Sequence, residues 1–352
     1  MGAGGPEHVG TQTIELSAAP VLAQSHWIIS EREDLTWFIG SSLAGYLAMA
    51  LMAAGFPLTP LFLVWLIGID GPHVLATVTR TYFDKVERKA LGPALWMIIP
   101  AMLVGPVAVA TGHEKLFYLV AVSWLHFHIA KQHFGFVMLY KHKNRERDRF
   151  DYHLDRYFLL ASLMVPYARF VIATADPLRG LGIAQAANEL LLAGYVLLAV
   201  FFLGRQVQKV RSGVPVNAPK LLLFLAVVPL QWLAFGYAAT FGFEGIVRAG
   251  IILGLFHSFQ YHRLMWFHNQ NRYSEPRSEN RFGLAATLAR HFAYYALAAV
   301  ALNLVLNVLP SMALPSSPVK AAVWGLAFTH YMLDARIWRV RGNRELAAAL
   351  HL

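Results

Sequence analysis

The run Leu116-Phe-Tyr-Leu-Val-Ala-Val-Ser-Trp124-Leu-His126-Phe-His128-Ile-Ala-Lys131-Gln132-His133-Phe-Gly-Phe-Val-Met-Leu-Tyr140 decides how this chain is read. It is longer than the ~20 residues that cross a bilayer as a helix. Midway along it lie three histidines, a lysine and a glutamine. Polar groups at that depth are costly, and they are functional candidates by default.

The rest of the chain has the same apolar character. Hydrophobic residues fill 57% of the 352 positions, charged residues 14%, and mean hydropathy is +0.46. Soluble domains carry about 25% charged residues, so a membrane protein is expected. Ten stretches are long enough to span: 36–55, 60–80, 92–112, 116–140, 157–175, 187–207, 220–239, 245–266, 290–309 and 319–338. The expected fold class is therefore all-α, a polytopic helical bundle of about ten transmembrane helices. One integral membrane domain, 34–340, lies between tails at 1–33 and 341–352. The first tail lacks a basic start, an apolar core and a small-residue cleavage site, so no signal peptide is expected.

Charge sets the orientation. The net charge is +10, which in a soluble protein would suggest nucleic acid. Here 23 of the 30 Lys and Arg follow even-numbered spans, from Arg80, Lys85, Arg88 and Lys89 to Arg336, Arg339, Arg341 and Arg344. Positive loops stay cytoplasmic. Both termini are thus expected in the cytoplasm of a bacterial inner membrane, with the bilayer and no nucleic acid as partner. The absence of cysteine excludes disulfides, thiol nucleophiles, iron–sulfur clusters and Cys-ligated zinc.

The buried polar residues sort onto spans that run the same way: Asp70 and His73 on the second; His126, His128, Lys131, Gln132 and His133 on the fourth; His257, Gln260, Tyr261 and His262 on the eighth; His330 and Asp334 on the tenth. At a rise of about 1.5 Å per residue, His73, His128, His257 and His330 share one depth. A second polar layer of Gln132/His133, Tyr261/His262 and Asp334 lies about a turn nearer the cytoplasm. Asp70 shares a helix face with His73, and Asp334 lies a turn from His330. Each could fix the tautomer of its histidine by accepting the second N–H, the usual support of a ligand imidazole.

Local features bear on the same region. Pro72 frees a carbonyl before His73 and kinks the second span. Gly250 and Gly254 would let a neighbouring helix approach His257. His128…His133 and His257…His262 share a His-x4-His spacing, which turns about 140° in a regular helix; a π-bulge would bring each pair together. Asp70 has a plainer alternative, an ion pair with Lys131 or Arg169. His8, His113, His142, His153, His268, His291 and His351 fall in tails, loops or span ends and read as solvated. Trp124, Phe127, Phe134, Phe256, Phe259 and Trp266 bracket the histidine layer, either as a hydrophobic tunnel or as plain packing.

Imidazoles backed by carboxylates suit Fe, Zn, Cu or Ni. A His-rich site in a membrane domain points to redox chemistry on a lipid-soluble molecule, most simply at one or two non-haem iron ions with O2 as co-substrate. The metal candidates are His73, His126, His128, His133, His257, His262 and His330. Asp70 and Asp334 are their supports, and Gln132, Gln260 and Tyr261 the groups that would meet bound oxygen or product. An electron donor is an open requirement.

The chain lacks the His-x-x-His-His boxes of the fatty-acid desaturases and alkane hydroxylases. Through Gly71-Pro72-His73, His126-Phe127-His128 and the histidines of spans eight and ten, it resembles the Brp/Blh membrane carotenoid dioxygenases, although ten spans exceed the number expected of that family. The resemblance implies one iron held by single histidines on several helices, and cleavage of a β-carotene-like polyene to an aldehyde. Two other classes share some of these features. A bis-histidine haem b protein also places His at matched depth, and a proton- or metal-coupled transporter uses buried Asp/His relays and broken helices such as Gly71-Pro72.

Overall fold

The computed structural model describes residues 26–176, 178 and 180–352. Most of the expected N-terminal tail, 1–25, lies outside the described residues. Among the described residues there is no strand, and ten long helical stretches follow one another: α1 (Glu31–Ala53), α2 (Leu58–Thr81), α3 (Lys85–Ala110), α4 (Glu114–Lys143), α5 (Arg149–Thr174), α6 (Gly182–Arg211), α7 (Ala218–Ala239), α8 (Gly242–Arg272), α9 (Phe292–Ala313) and α10 (Ser317–Ile337). The fold is an all-α membrane bundle.

Eight of these helices are long and apolar enough to cross a bilayer. The two that fall short of that apolarity are α4 and α10. Both match the expected spans in place, and both are diluted by the polar residues of interest, His126–His133 and His330/Asp334. The outward faces suit lipid. Leu190, Leu197, Val200 and Leu203 of α6 are 60–73% exposed, a cost in water and none in hydrocarbon.

Short turns make the helices alternate. α1, α3 and α6 end on Gly55, Gly112 and Gly213 at positive φ, where the paired bonds Phe56 N–H to Leu51 O and Gly55 N–H to Met52 O close the helix end. α4 ends the same way on Arg145, at φ 54°, with Glu146 N–H bonded to Lys141 O at 2.9 Å.

Two irregularities position the site. The chain is π-helical over Val64–Asp70, immediately before Gly71-Pro72-His73. Side chains from other helices also bond its carbonyls: Asn303 Nδ2 donates to Leu66 O at 2.9 Å, and His262 Nε2 to Ile69 O at 3.0 Å. The π-bulge considered for the fourth span is not there, because α4 is α-helical throughout. Secondly, α3 and α10 meet backbone to backbone. A Cβ on Gly105 would stand 2.3 Å from Ala321 O, and one on Gly325 2.5 Å from Met102 N. This close approach fixes α10, which carries His330. Gly254 serves differently from expectation: it receives the indole of Trp65, while Gly250 meets nothing.

One end of α4–α7 is tied by buried ions. Lys220 Nζ bonds both Glu146 oxygens and Asp155 Oδ2 at 2.9 Å, Lys209 Nζ bonds Glu146 Oε1 at 2.9 Å and stands 3.0 Å from Asp151 Oδ2, and Lys141 reaches Asp155. Burial pushes the Glu146 carboxyl up, but Lys220, Lys209 and Lys141 outweigh it and leave it at about 2. Three lysines counted as loop charge are thus interior residues, each 4% exposed or less.

Candidate metal centre

Four histidines from four helices meet. His73 (α2) lies with its ring centroid 4.5 Å from His330 (α10), 4.6 Å from His257 (α8) and 6.4 Å from His128 (α4). His128 is 4.8 Å from His330 and 5.1 Å from His257. His73, His257 and His330 are 1–2% exposed, His128 8%. One nitrogen from each of His73, His128 and His330 falls within 4.8 Å of the other two, a group that could hold a metal ion. The His128 and His330 Nε2 atoms are 3.2 Å apart. Two nitrogens each ~2.1 Å from one ion stand about 3.0–3.4 Å apart in octahedral or tetrahedral coordination, so the separation fits. His73 Nε2 and both nitrogens of His257 are buried without a partner, as ligands awaiting an ion would be.

Two matched relays set the tautomers. His330 Nδ1 lies 2.6 Å from Thr77 Oγ1, whose hydroxyl donates to Asp334 Oδ1 at 3.2 Å. Tyr261 O–H donates to the same Asp334 oxygen at 3.0 Å and lies 2.8 Å from Thr77 Oγ1. The carboxylate is an acceptor only, so the Thr77 hydrogen goes to it, and the Thr77 oxygen accepts from His330 Nδ1–H. The second relay repeats the first: Ser258 Oγ donates to Asp70 Oδ1 at 2.9 Å and faces His73 Nδ1 at 3.4 Å. Both assignments leave the Nε2 lone pairs of His73 and His330 directed away from their supports, in the form that binds a metal.

The expected roles of Asp70 and Asp334 therefore pass through hydroxyls. The Nδ1–carboxylate distances are 3.7 and 3.6 Å, beyond a hydrogen bond. Sequence reasoning missed Thr77, Ser258 and Tyr331, whose ring stacks on His128 at 4.4 Å. Thr77 lies four residues after His73 and Ser258 directly follows His257, but small hydroxyls on apolar helices are too common to stand out. Asp70 does not pair with Lys131 or Arg169; Arg169 is bonded to Asn188 O, and Lys131 is exposed.

The other metal candidates are engaged elsewhere. His126 bonds Leu163 O through Nε2 at 2.8 Å and stacks on Tyr167. His133 bonds Ile129 O, one turn back on its own helix. His262 spends both nitrogens, on Tyr295 O–H and Ile69 O. His126 and His262 tie helices together, whereas His133 bonds only within α4 and keeps its Nε2 buried without a partner. Gln132 Nε2 bonds His257 O and Gln260 Nε2 bonds Phe38 O, so both of these amide donors serve helix packing rather than a bound molecule. Tyr261 does reach the site, with its ring 4.5 Å from His73. The aromatic tunnel is not formed as drawn: Phe127 is 45% exposed, Phe259 pairs with Trp37 and Trp124 stacks on Phe328. His268, read as solvated, is fully buried.

Against models of protein families, against curated proteins and against solved structures, the chain has no match.

Proposed function

We propose that the protein is a membrane-embedded non-haem metal oxygenase. His73, His128, His257 and His330 hold the metal, most simply iron, and a hydrophobic molecule from the bilayer is oxidised with O2. The single observation that carries this reading is the convergence of four buried imidazoles whose Nε2 atoms are free or face one another, while two of them are oriented by hydroxyl–carboxylate relays. Neutral His ligands with few carboxylates in reach leave coordination positions open. A bound iron ion would supply O2 activation there.

The chain's own residues do the rest. Thr77 with Asp334, and Ser258 with Asp70, hold the imidazole planes and keep the Nδ1 protons in place. Tyr261, bonded to Asp334, and Tyr331, stacked on His128, are phenols packed against the cluster. The apolar helices keep bulk water away from the reacting centre. The packing argues against the haem alternative: His73 and His128, with ring centroids 6.4 Å apart, are spaced widely enough to hold a macrocycle between them, but the rings of His257 and His330 lie within 5.1 Å of both.

Metal analysis and an optical spectrum of the purified protein test the reading. Stoichiometric iron without a Soret band is the expected result, with metal content falling sharply in His73→Ala, His128→Ala, His257→Ala and His330→Ala and unchanged in His142→Ala. Co-expression in a carotenoid-accumulating cell tests the substrate class that the resemblance implies. Bleaching with release of a retinal-like aldehyde, lost in His73→Ala and without O2, supports polyene cleavage. Unchanged pigment with iron-replete protein rejects carotenoid, and full metal occupancy after His257→Ala rejects the four-histidine site.

A further inference from the structure

Beyond the Thr77–Tyr261–Asp334 layer, one to two turns further along the same three helices, lies a group the metal reading does not use. Thr77 to Arg80 is three residues, a rise of about 4.5 Å. Arg80 of α2 is 1% exposed. Its Nη2 donates to Ile337 O at 2.7 Å, and its guanidinium lies 4.2 Å over the ring of Trp338 at the end of α10. Its Nε and Nη1 are buried and bond nothing. His268 of α8, fully buried, has its ring 5.7 Å from the same indole. Its Nδ1 is taken by Asn269 Oδ1 at 3.2 Å, and its Nε2 has no partner. The Trp338 Nε1–H is likewise buried and unused. Arg80 and Trp338 thus bring unspent buried N–H donors to one place, while His268, whose Nδ1–H goes to the Asn269 oxygen, adds only an Nε2 lone pair beside them.

A guanidinium is always charged, and a buried charge without a partner is costly by several kcal/mol. Among the described residues no carboxylate forms an ion pair with Arg80. The nearby acids are committed elsewhere: Asp84 and Glu87 to Arg272, and Asp334 to Thr77 and Tyr261. An enclosed water would accept hydrogen bonds but would leave the charge uncompensated. We propose that the free N–H groups of Arg80 and Trp338 make a binding site for a small monovalent inorganic anion of the halide type. Such an anion accepts several N–H donors at once and cancels the guanidinium charge. It would also clamp α2 to the end of α10, two of the four helices that bring histidines to the cluster.

The test uses bromide as the probe, with the full-length protein crystallised after chloride is exchanged for bromide. An anomalous peak at the bromine edge, within hydrogen-bond reach of Arg80 Nε or Nη1, is the expected result. Peaks only elsewhere on the surface, or density at Arg80 without anomalous signal, overturn the proposal. A second measurement is the thermal unfolding of detergent-solubilised protein in chloride against gluconate at constant ionic strength. A ligand that binds only the folded state raises stability with its concentration. Tm should therefore climb with chloride in the wild type and stay flat in Arg80→Gln. Equal Tm in both salts for the wild type, or the same chloride response in Arg80→Gln, overturns it. The wild-type measurements stand if Arg80→Gln fails to fold.

Discussion

Replacing Thr77 by Val removes one hydroxyl and leaves the side-chain shape. That hydroxyl accepts from His330 Nδ1 at 2.6 Å and donates to Asp334 Oδ1 at 3.2 Å, and it touches Tyr261 O–H at 2.8 Å. Val leaves the His330 N–H with no acceptor and Asp334 with one donor fewer, both at sites 7% exposed or less. A buried polar group left unpaired costs about 1–3 kcal/mol. Part of that penalty falls on folding and part on metal binding, since the imidazole can now rotate or adopt the other tautomer. Loss of such a supporting partner weakens metal affinity about 10–100-fold, which is ~1.4–2.8 kcal/mol at 1.4 kcal/mol per decade. Thr77→Ser keeps the hydroxyl and should lose far less. The assay is a competition titration of purified apo-protein against a chelator of known affinity, with metal content read by mass spectrometry. Equal affinity for wild type and Thr77→Val would refute the relay. A loss as large in Thr77→Ser as in Thr77→Val would point instead to helix packing.

Other outcomes follow from the same geometry. Gly325→Ala should perturb the α3–α10 contact, because its Cβ would stand 2.5 Å from Met102 backbone atoms; overpacking of this kind costs about 1–3 kcal/mol, read as a lower Tm together with reduced metal content through His330. His126→Ala and His262→Ala should retain full metal at reduced thermal stability, whereas His257→Ala should lose metal; atomic absorption on the three variants checks this. Glu146 is held near 2 against a model-peptide value of about 4.3, so the lysine cluster stabilises the fold fully above the unfolded value and loses that stabilisation as the pH falls through the range between the two; Glu146→Gln should flatten acid unfolding between about pH 5 and 2, and an unchanged profile would count against the cluster. Labelling of single cysteines should find 176–186 external and 143–150 and 270–282 cytoplasmic, and a cytoplasmic 176–186 would undo the orientation argued from the basic loops.

Hydropathy, length and the spacing of basic residues were legible in the sequence because the bilayer imposes them on each helix separately. A span needs its ~20 apolar residues wherever its neighbours lie, and eight of the ten expected stretches fall on helices long and apolar enough to cross. The shared depth of His73, His128, His257 and His330 was legible for a similar reason: rise per residue is a property of one helix, and it carries over when helices alternate across a membrane. Which way a side chain faces was less so. On α4, the sequence allowed His126 and His133 on one face and His128 with Gln132 on another, and only the packing of α4 against α5, α8 and α10 separated the ties from the cluster. Thr77 and Ser258 became visible only in three dimensions, because each reaches a histidine–carboxylate pair on another helix, far away in the chain. Lys141, Lys209 and Lys220 carried the orientation signal and yet proved buried, since charge alone does not say whether a carboxylate from another helix will come to meet it. Arg80 and His268 looked like ordinary residues at span ends, and they became an unpartnered buried group only when α2, α8 and α10 closed around Trp338. Periodicity and charge act within one segment and can be read along the chain, whereas the pairing of polar atoms is decided by contacts between segments, which the linear order does not contain.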